Sequence, residues 1–547
     1  MFAGHNVPIP VYIGQASESR LGPTTFQTAF QSAEPARECE MVFVAQVLAR
    51  EYEDGESVPR ALDRLEIRIG NAGEVDIRHG RAKGGIARLD MHGGIPNGAP
   101  YLAMYHRAMA EKAWATLAAR WLTAATASVS VGAQSDAPAN GCDGLLGVRS
   151  TAGYLHTWSE TIDLRETEEA CRSSDHAPFY WQLRAMAENV LGNHRAALVD
   201  FDRQRPRWES GEYPDLPRGA RSVPALAYIA ERAASHRFVM VNERHHVSAD
   251  RLLTLALLRP LYEQGFRYLA AEALTPRMTG IGVRGYPVRQ DGSSYVDDPV
   301  FGELLREAVA LGFQIVPYEQ HEDQGPPMER MNDQQVRDYW QANNLITGTL
   351  ERDPEAKVLV HCGYSHLHEV VSSRWTPMAH YFTEATGLDP LTVDQVLFAE
   401  RGTRDAEHPW RADAESRGLV AGQPVVLVDA EGTLLPVAPH RVDVRVLGPR
   451  TVYVNDRPAW MQMDGRRRAV AISTPECVEA GCVVEASNVA WEEQGVPYDR
   501  IEVVEDAVDM YLPPGVEVEL RAYRLDGNPV FQRTVSTAVT AKETLKP

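Results

Sequence analysis

Four short apolar runs in the middle of the chain end in carboxylates and imidazoles. "HRFVMVNERHH" delivers Glu243, His245 and His246, and "FRYLAAEA" delivers Glu272. "FQIVPYEQHED" delivers Glu319, His321 and Glu322, and "AKVLVHCGYSHLHE" delivers His361, Cys362, Ser365, His366 and His368. These side chains are the acids, bases and ligands of hydrolytic and metal chemistry. Burying them unpaired is expensive, so their return at the ends of successive apolar runs argues for a shared site. Two histidines and two glutamates suffice to bind Zn, Mn or Fe and leave a position for water. The candidate ligands are Glu243, His245, His246, Glu272, Glu319, His361 and His366. Without a metal, a histidine oriented by a neighbouring carboxylate can take a proton from water, and His245 is the candidate base. For Glu272 and Glu319 the competing reading is an ion pair to an arginine such as Arg337. For each histidine taken alone it is a solvated or capped loop residue.

Several standard catalytic arrangements are absent. "HLHEV" has no second histidine four residues after His368, so it is not a zinc-protease HExxH. "GYSHL" begins like a nucleophile elbow but lacks the closing glycine, which argues against Ser365 as a nucleophile. Cys362 adjoins His361, yet neighbours on a strand point to opposite faces, which argues against a Cys–His dyad. No P-loop or dinucleotide fingerprint follows any of the runs.

The elements that must position these groups read as an α/β domain over residues 216–400. Each run is short and apolar throughout, as expected of parallel strands covered on both faces. Between them lie "SADRLLTLALLRPLYEQG", "DPVFGELLREAVALG" and "MERMNDQQVRDYWQANNLITGTLERDP", whose apolar residues recur at three-to-four spacing. Ser248 and Asp297 or Asp298 are N-cap candidates. In an open parallel sheet, ligands bind beyond the carboxyl ends of the strands, which is where the ionisable groups fall. The Gly-rich stretch 275–298 follows the second strand and reads either as a lid or as a solvated connector.

With these residues in place, the pattern resembles the erythromycin esterase/ChaN/TIKI superfamily over about residues 236–400. The resemblance rests on "NERH" (Asn242 to His245) for GExH, with Asn in place of Gly, and on "AAEA" for Glu272. It also rests on "RDYWQANNL" from Arg337 to Leu345 and on "HCGYSH" for Gly363-x-x-His366. It implies a site centred on Glu243, His245, Glu272, Arg337 and His366, with Arg337 and His366 able to stabilise an oxyanion. It also implies a range of chemistries: ester hydrolysis by a His-activated water, metal-dependent peptide hydrolysis, or haem binding. The expected function is therefore hydrolysis of an ester or amide bond in a small molecule or peptide. The alternative is a haem- or iron-binding protein without turnover, with Tyr364, Tyr318 or His366 as axial-ligand candidates.

The remaining chain is less informative. Residues 1–215 read as a mostly helical region, with "YLAMYHRAMAEKAWATLAARWL" near 101–127 and a tetratricopeptide-like hairpin over 179–206. This region is the expected docking surface for any protein partner. Residues 401–547 turn to short Val-rich runs separated by "NDRP", "LPPG" and "LDGNP", which suggests a β-rich C-terminal domain. At 547 residues the chain is long enough for two to four domains, and its net charge of −20 argues against nucleic acid or an anionic membrane as partner. No apolar run reaches the length of a membrane span. Six cysteines, at 39, 142, 171, 362, 477 and 482, lack CxxC spacing, and Cys477 with Cys482 could close a short loop. The lean is slightly toward an exported, disulfide-bearing protein.

Overall fold

A computed structural model describes the backbone of six strands between residues 9 and 88. It further describes residues 157–172, 177–204 and 215–537, except 277, 279, 329–330, 373–374 and 436–440. The chain divides into two compact units, Met1–Gln134 and Ser135–Pro547. In the first unit, β1 (Ile9–Val11) pairs with β2 (Phe26–Thr28). Strands β3 (Met41–Glu53), β4 (Glu56–Ile69), β5 (Val75–Arg81) and β6 (Ile86–Arg88) form an antiparallel sheet in chain order. These strands occupy part of the region read as mostly helical, and the helix expected at 101–127 lies outside the described residues.

The second unit opens with helices α1 (Thr157–Glu166), α2 (Glu168–Cys171), α3 (Ala177–Val190) and α4 (His194–Asp202). Helices α3 and α4 are the hairpin read from the sequence, turned at Gly192 with a positive φ of 77°. A side chain at Gly192 would also strike the backbone carbonyl of Arg500, so two constraints meet at one glycine.

The core is an eight-stranded sheet in the order β10-β9-β11-β8-β12-β14-β13-β7. Its strands are β7 (Arg221–Pro224), β8 (Phe238–Glu243), β9 (Tyr268–Ala271), β10 (Gln314–Pro317), β11 (Val358–Gly363), β12 (Leu391–Asp394), β13 (Val425–Val428) and β14 (Val444–Leu447). Strands β8 to β12 and β14 run parallel, while β13 is antiparallel to both of its neighbours. The sheet therefore runs past residue 400, where composition alone drew the boundary of the α/β region.

Side chains alternate between the two faces, and each face has its own helices. Val239, Val241, Leu269, Ala271 and Leu359 pack with Ile229 of α5 (Ala225–Ala233) and Leu257 and Leu261 of α6 (Arg251–Glu263). They are joined by Leu304 and Ala308, buried on the helix Pro299–Leu311. On the opposite face Met240, Ala270, Val358 and Val360 pack with Ala342 and Leu345, and with Met378 and Phe382. This two-sided burial explains why the central runs are apolar without alternation. Helix α7 is the single turn Ile281–Arg284 and α8 is Pro299–Leu311. Helices α9 (Asp333–Gly348), α10 (Met378–Thr386) and α11 (Pro409–Ser416) follow. Asp298 caps α8, accepting from the backbone N–H of Val300 at 2.8 Å and of Phe301 at 3.0 Å. Ser248 does not cap α6: it sits in a 3₁₀ turn and gives its hydroxyl to Asn189 and Asp298.

Beyond β14 the chain forms small antiparallel sheets around a separate apolar core that includes Val484, Ala486, Met510 and Leu520. Cys477 and Cys482 are joined there, and Cys171 is also disulfide-bonded. The Cys477–Cys482 loop spans a sequence separation of 5. Closing so short a loop restricts the unfolded chain by an amount worth about 2 kcal/mol on the chain-entropy account. Replacing both cysteines by serine is expected to lower stability by that amount, read by chemical denaturation, without altering the core sheet. Among the described residues no helix is long and apolar enough to cross a membrane.

Candidate active site

The four adjacent strands β10, β9, β11 and β8 end side by side, and the site is assembled from their last residues and the turns that follow. Glu243 closes β8 and is buried. Its Oε2 meets Arg251 Nε at 2.7 Å and His361 Nε2 at 3.0 Å, while its Oε1 meets His245 Nδ1 at 3.0 Å. Burial pushes this carboxyl up, but Arg251, His361 and His245 together hold it well below the usual carboxylate range. His361 lies on β11, and its Nδ1 is 2.9 Å from the hydroxyl of Thr254 on α6. With Thr254 donating to Nδ1, the Nε2–H of His361 donates to Glu243. Arg251 is fully buried at the start of α6 and also meets Asp298 at 3.0 Å.

His245 thus sets its Nδ1 against an ionised carboxylate; in the neutral ring with the proton on Nδ1, the lone pair lies on Nε2. That nitrogen looks toward Glu272 Oε1 at 3.8 Å. The ring is fixed from both sides: Tyr295 stacks on it at 4.3 Å and 7°, and Tyr364 meets it edge-on at 5.2 Å. Gly363, the last residue of β11, is the reason the ring fits. A Cβ there would lie well under 3.0 Å from the His245 ring. Tyr364 follows with a positive φ of 41°, an uncommon conformation for a bulky residue and one typical of constrained functional turns.

Glu272 follows β9 and accepts a short hydrogen bond from the backbone N–H of Gly363. Its other oxygen takes Arg337 Nη2 at 2.6 Å. Burial pushes this carboxyl up too, but His366, Arg337 and His245 outweigh it and hold it far below its usual value. Arg337 projects from α9 and reaches Glu319 at 2.6 Å and His366 Nε2 at 3.0 Å. It remains 31% exposed, so a ligand can reach it. His366 is buried, with Nδ1 2.7 Å from Asp338. Asp338 is completely buried and also accepts from the backbone N–H of Met378 at 2.8 Å and from Trp375 Nε1 at 2.9 Å. Burial works to lower the His366 pKa, but Glu272 and Asp338 raise it above the ordinary histidine value.

Glu243, His245, Glu272, Arg337 and His366 thus meet in one cluster. Glu319 joins it as an ion-pair partner of Arg337, and His361 as a donor to Glu243. His246 does not. It is stacked on Phe201 of α4 at 3.7 Å and lies 3.2 Å from the Tyr364 hydroxyl. The strand has ended at Glu243, so strict alternation no longer dictates where residues 244–246 point. The backbone N–H of His321 donates to Gln324. Cys362 lies on the opposite face from His361, as strand geometry requires, and burial pushes its thiol pKa well up. Tyr318 is fully buried and donates to the carbonyl of His361, which engages the hydroxyl of this haem-ligand candidate.

The donor set does not favour a metal. Among the described residues no three His, Cys, Asp or Glu side chains are arranged to hold one. The reason is visible in the contacts: both nitrogens of His361 and of His366 already have partners, and the guanidinium of Arg337 stands between Glu272, Glu319 and His366.

Sequence reading did not single out Arg251, Thr254, Asp338 or Tyr295. Asp338 adjoins Arg337 in the quoted helix, and Arg251 opens the helix that follows "NERHH"; both were readable as partners for buried charge. Tyr295 had no such signal, since it comes from the Gly-rich stretch. That stretch is tied down: Arg289 bonds Asp297 and Glu485, and the backbone N–H of Val496 donates to the Pro287 carbonyl. Comparison of the chain with protein-family models, with curated proteins and with solved structures gives no match.

Proposed function

We propose that the chain hydrolyses an ester or amide bond, with His245 activating water. The observation that carries this reading is the placing of the His245 ring. Its Nδ1 is held by Glu243, and Nε2 points toward a carboxylate–arginine pair that a ligand can reach. Water beside Nε2 gives up a proton as its oxygen attacks the carbonyl carbon, and the imidazolium that forms is stabilised by ionised Glu243. Arg337 supplies positive charge beside the oxyanion. When the intermediate collapses, the proton on Nε2 passes to the leaving alkoxide or amine. Glu272 and Glu319 hold the guanidinium in place, and Asp338 fixes the His366 ring beside it. The motif resemblance to the erythromycin esterase/ChaN/TIKI superfamily supports the same reading. The disulfides favour an oxidising compartment.

A panel of chromogenic esters and amides is the first test. At least one substrate is expected to be turned over by the wild type and to lose about 10²–10⁴-fold in rate with His245→Gln, the range typical of a general base. Absence of His245-dependent turnover across the panel would overturn the reading.

A further inference from the structure

One residue of the stretch 275–298 stands directly against the proposed base. Tyr295 lies flat over the His245 ring at 4.3 Å and 7°. It is close enough to the catalytic groups to feel the charges of Glu272, Arg337, Glu243 and Arg251. Its ring packs against the core formed by α6, α8 and the sheet, so the side chain is positioned rather than loose. The segment bearing it is anchored on both sides. Ser293 donates its N–H to the Ala273 carbonyl, and Arg289 pairs with Asp297, two residues beyond the tyrosine. Gly292 allows this approach, because a Cβ there would strike the Ala273 carbonyl and the Val296 side chain.

Glu243, Glu272, Arg337, His361 and His366, the ionisable groups of the cluster around His245, each have a protein partner. The hydroxyl of Tyr295 has none among the described residues. Burial, followed by the charge of Glu272, pushes its pKa up, so the phenol stays neutral and keeps its proton. A neutral phenol held beside a general base is a hydrogen-bond donor reserved for a ligand. Arg337, in contrast, already shares its N–H groups among Glu272, Glu319 and His366.

We propose that Tyr295 is a catalytic residue whose hydroxyl donates a hydrogen bond to the carbonyl oxygen of the substrate as that oxygen gains negative charge. This rests on the hydrolase reading above. The electron pair of the C=O bond moves onto oxygen as water adds, and the Tyr295 hydroxyl, keeping its proton, holds that oxygen until the C=O bond re-forms and the leaving group departs. The flat stack on His245 sets the phenol ring against the base, so one segment outside the strand-end motifs joins the site.

The test is Tyr295→Phe, which keeps the ring and its stacking and removes only the hydroxyl. With a substrate that the wild type turns over in a His245-dependent way, kcat is expected to fall about 10²–10³-fold while KM changes little, the behaviour of a lost oxyanion donor. Thermal unfolding is expected to match the wild type. Tyr295→Leu, which loses the stack as well, is expected to be slower still. Wild-type kcat in Tyr295→Phe, with His245→Gln inactive, would overturn this inference and leave the hydrolase reading standing. Loss confined to KM would also overturn it and make Tyr295 a binding surface. If no substrate is turned over in a His245-dependent way, the hydrolase reading fails, and this role for Tyr295 fails with it.

Discussion

Replacing Arg251 by methionine is expected to destabilise the protein by about 3–5 kcal/mol, the usual consequence of removing one partner from a buried ion pair. Arg251 is fully buried and sits 2.7 Å from Glu243 and 3.0 Å from Asp298. Methionine fills much of the space but leaves two buried carboxylates without their cation. The effect has a pH signature. In the wild type the Glu243 and Asp298 carboxyls are held below their ordinary values, Arg251 being the leading opposing influence against burial in each. A depressed folded-state pKa contributes stability that is present above the unfolded value, near 4, and is lost as pH falls through the folded value. Denaturant titrations at pH 7 and at pH 3.5 are therefore expected to show a large deficit for Arg251→Met at pH 7 and a smaller one at pH 3.5. A deficit equal at both pH values would mean that packing, and not charge, explains the loss. Activity is expected to fall as well, because a protonated Glu243 no longer stabilises the His245 imidazolium.

The second large effect is expected from the smallest change. Gly363→Ala adds one methyl group where it would overlap His245 and come within 3.1 Å of a Glu272 oxygen. The imidazole cannot swing away freely, since Glu243, Tyr295 and Tyr364 fix it. The ring must be displaced, and misplacing a catalytic group by about 1 Å is enough for a loss on the order of 10²-fold. Kinetics and thermal unfolding of Gly363→Ala, measured together, separate the outcomes. The expected result is a folded protein with kcat down at least about 100-fold; unchanged kcat would mean that His245 does not work from the position it occupies here.

The parallel core was legible because strands buried on both faces leave continuous apolar runs, and β8, β9, β10 and β11 fall within the four apolar runs that end in carboxylates and imidazoles. The convergence of Glu243, His245, Glu272, Arg337 and His366 was legible for a related reason. Parallel strands put their carboxyl ends along one edge, so chemistry at equivalent positions must gather. Spacing could not show what the gathered donors bind. A set of Glu and His side chains suits a divalent cation and a guanidinium equally well in sequence, and here α9 delivers Arg337 into their midst. His246 was misplaced because the strand ends at Glu243, and the pairing of Phe201 with it depends on a helix more than 40 residues upstream. The Val-rich runs of β13 and β14 showed strands but not their partners, and these two join the core sheet, not the C-terminal one. Tyr295 was illegible because its loop has no periodicity and is placed by long-range contacts to Glu485 and Val496.

In the mechanism proposed, His245, oriented by Glu243, activates water in a site whose positive charge comes from Arg337. Turnover of one accepted ester or amide by chelator-treated wild type and His245→Gln, with metal content read by mass spectrometry, tests it most directly. Metal-depleted wild type is expected at full rate, and His245→Gln is expected to be slower by about 100-fold or more. Wild-type activity that vanishes on chelation and returns with Zn, Mn or Fe, or a His245→Gln variant that matches the wild type, would contradict it.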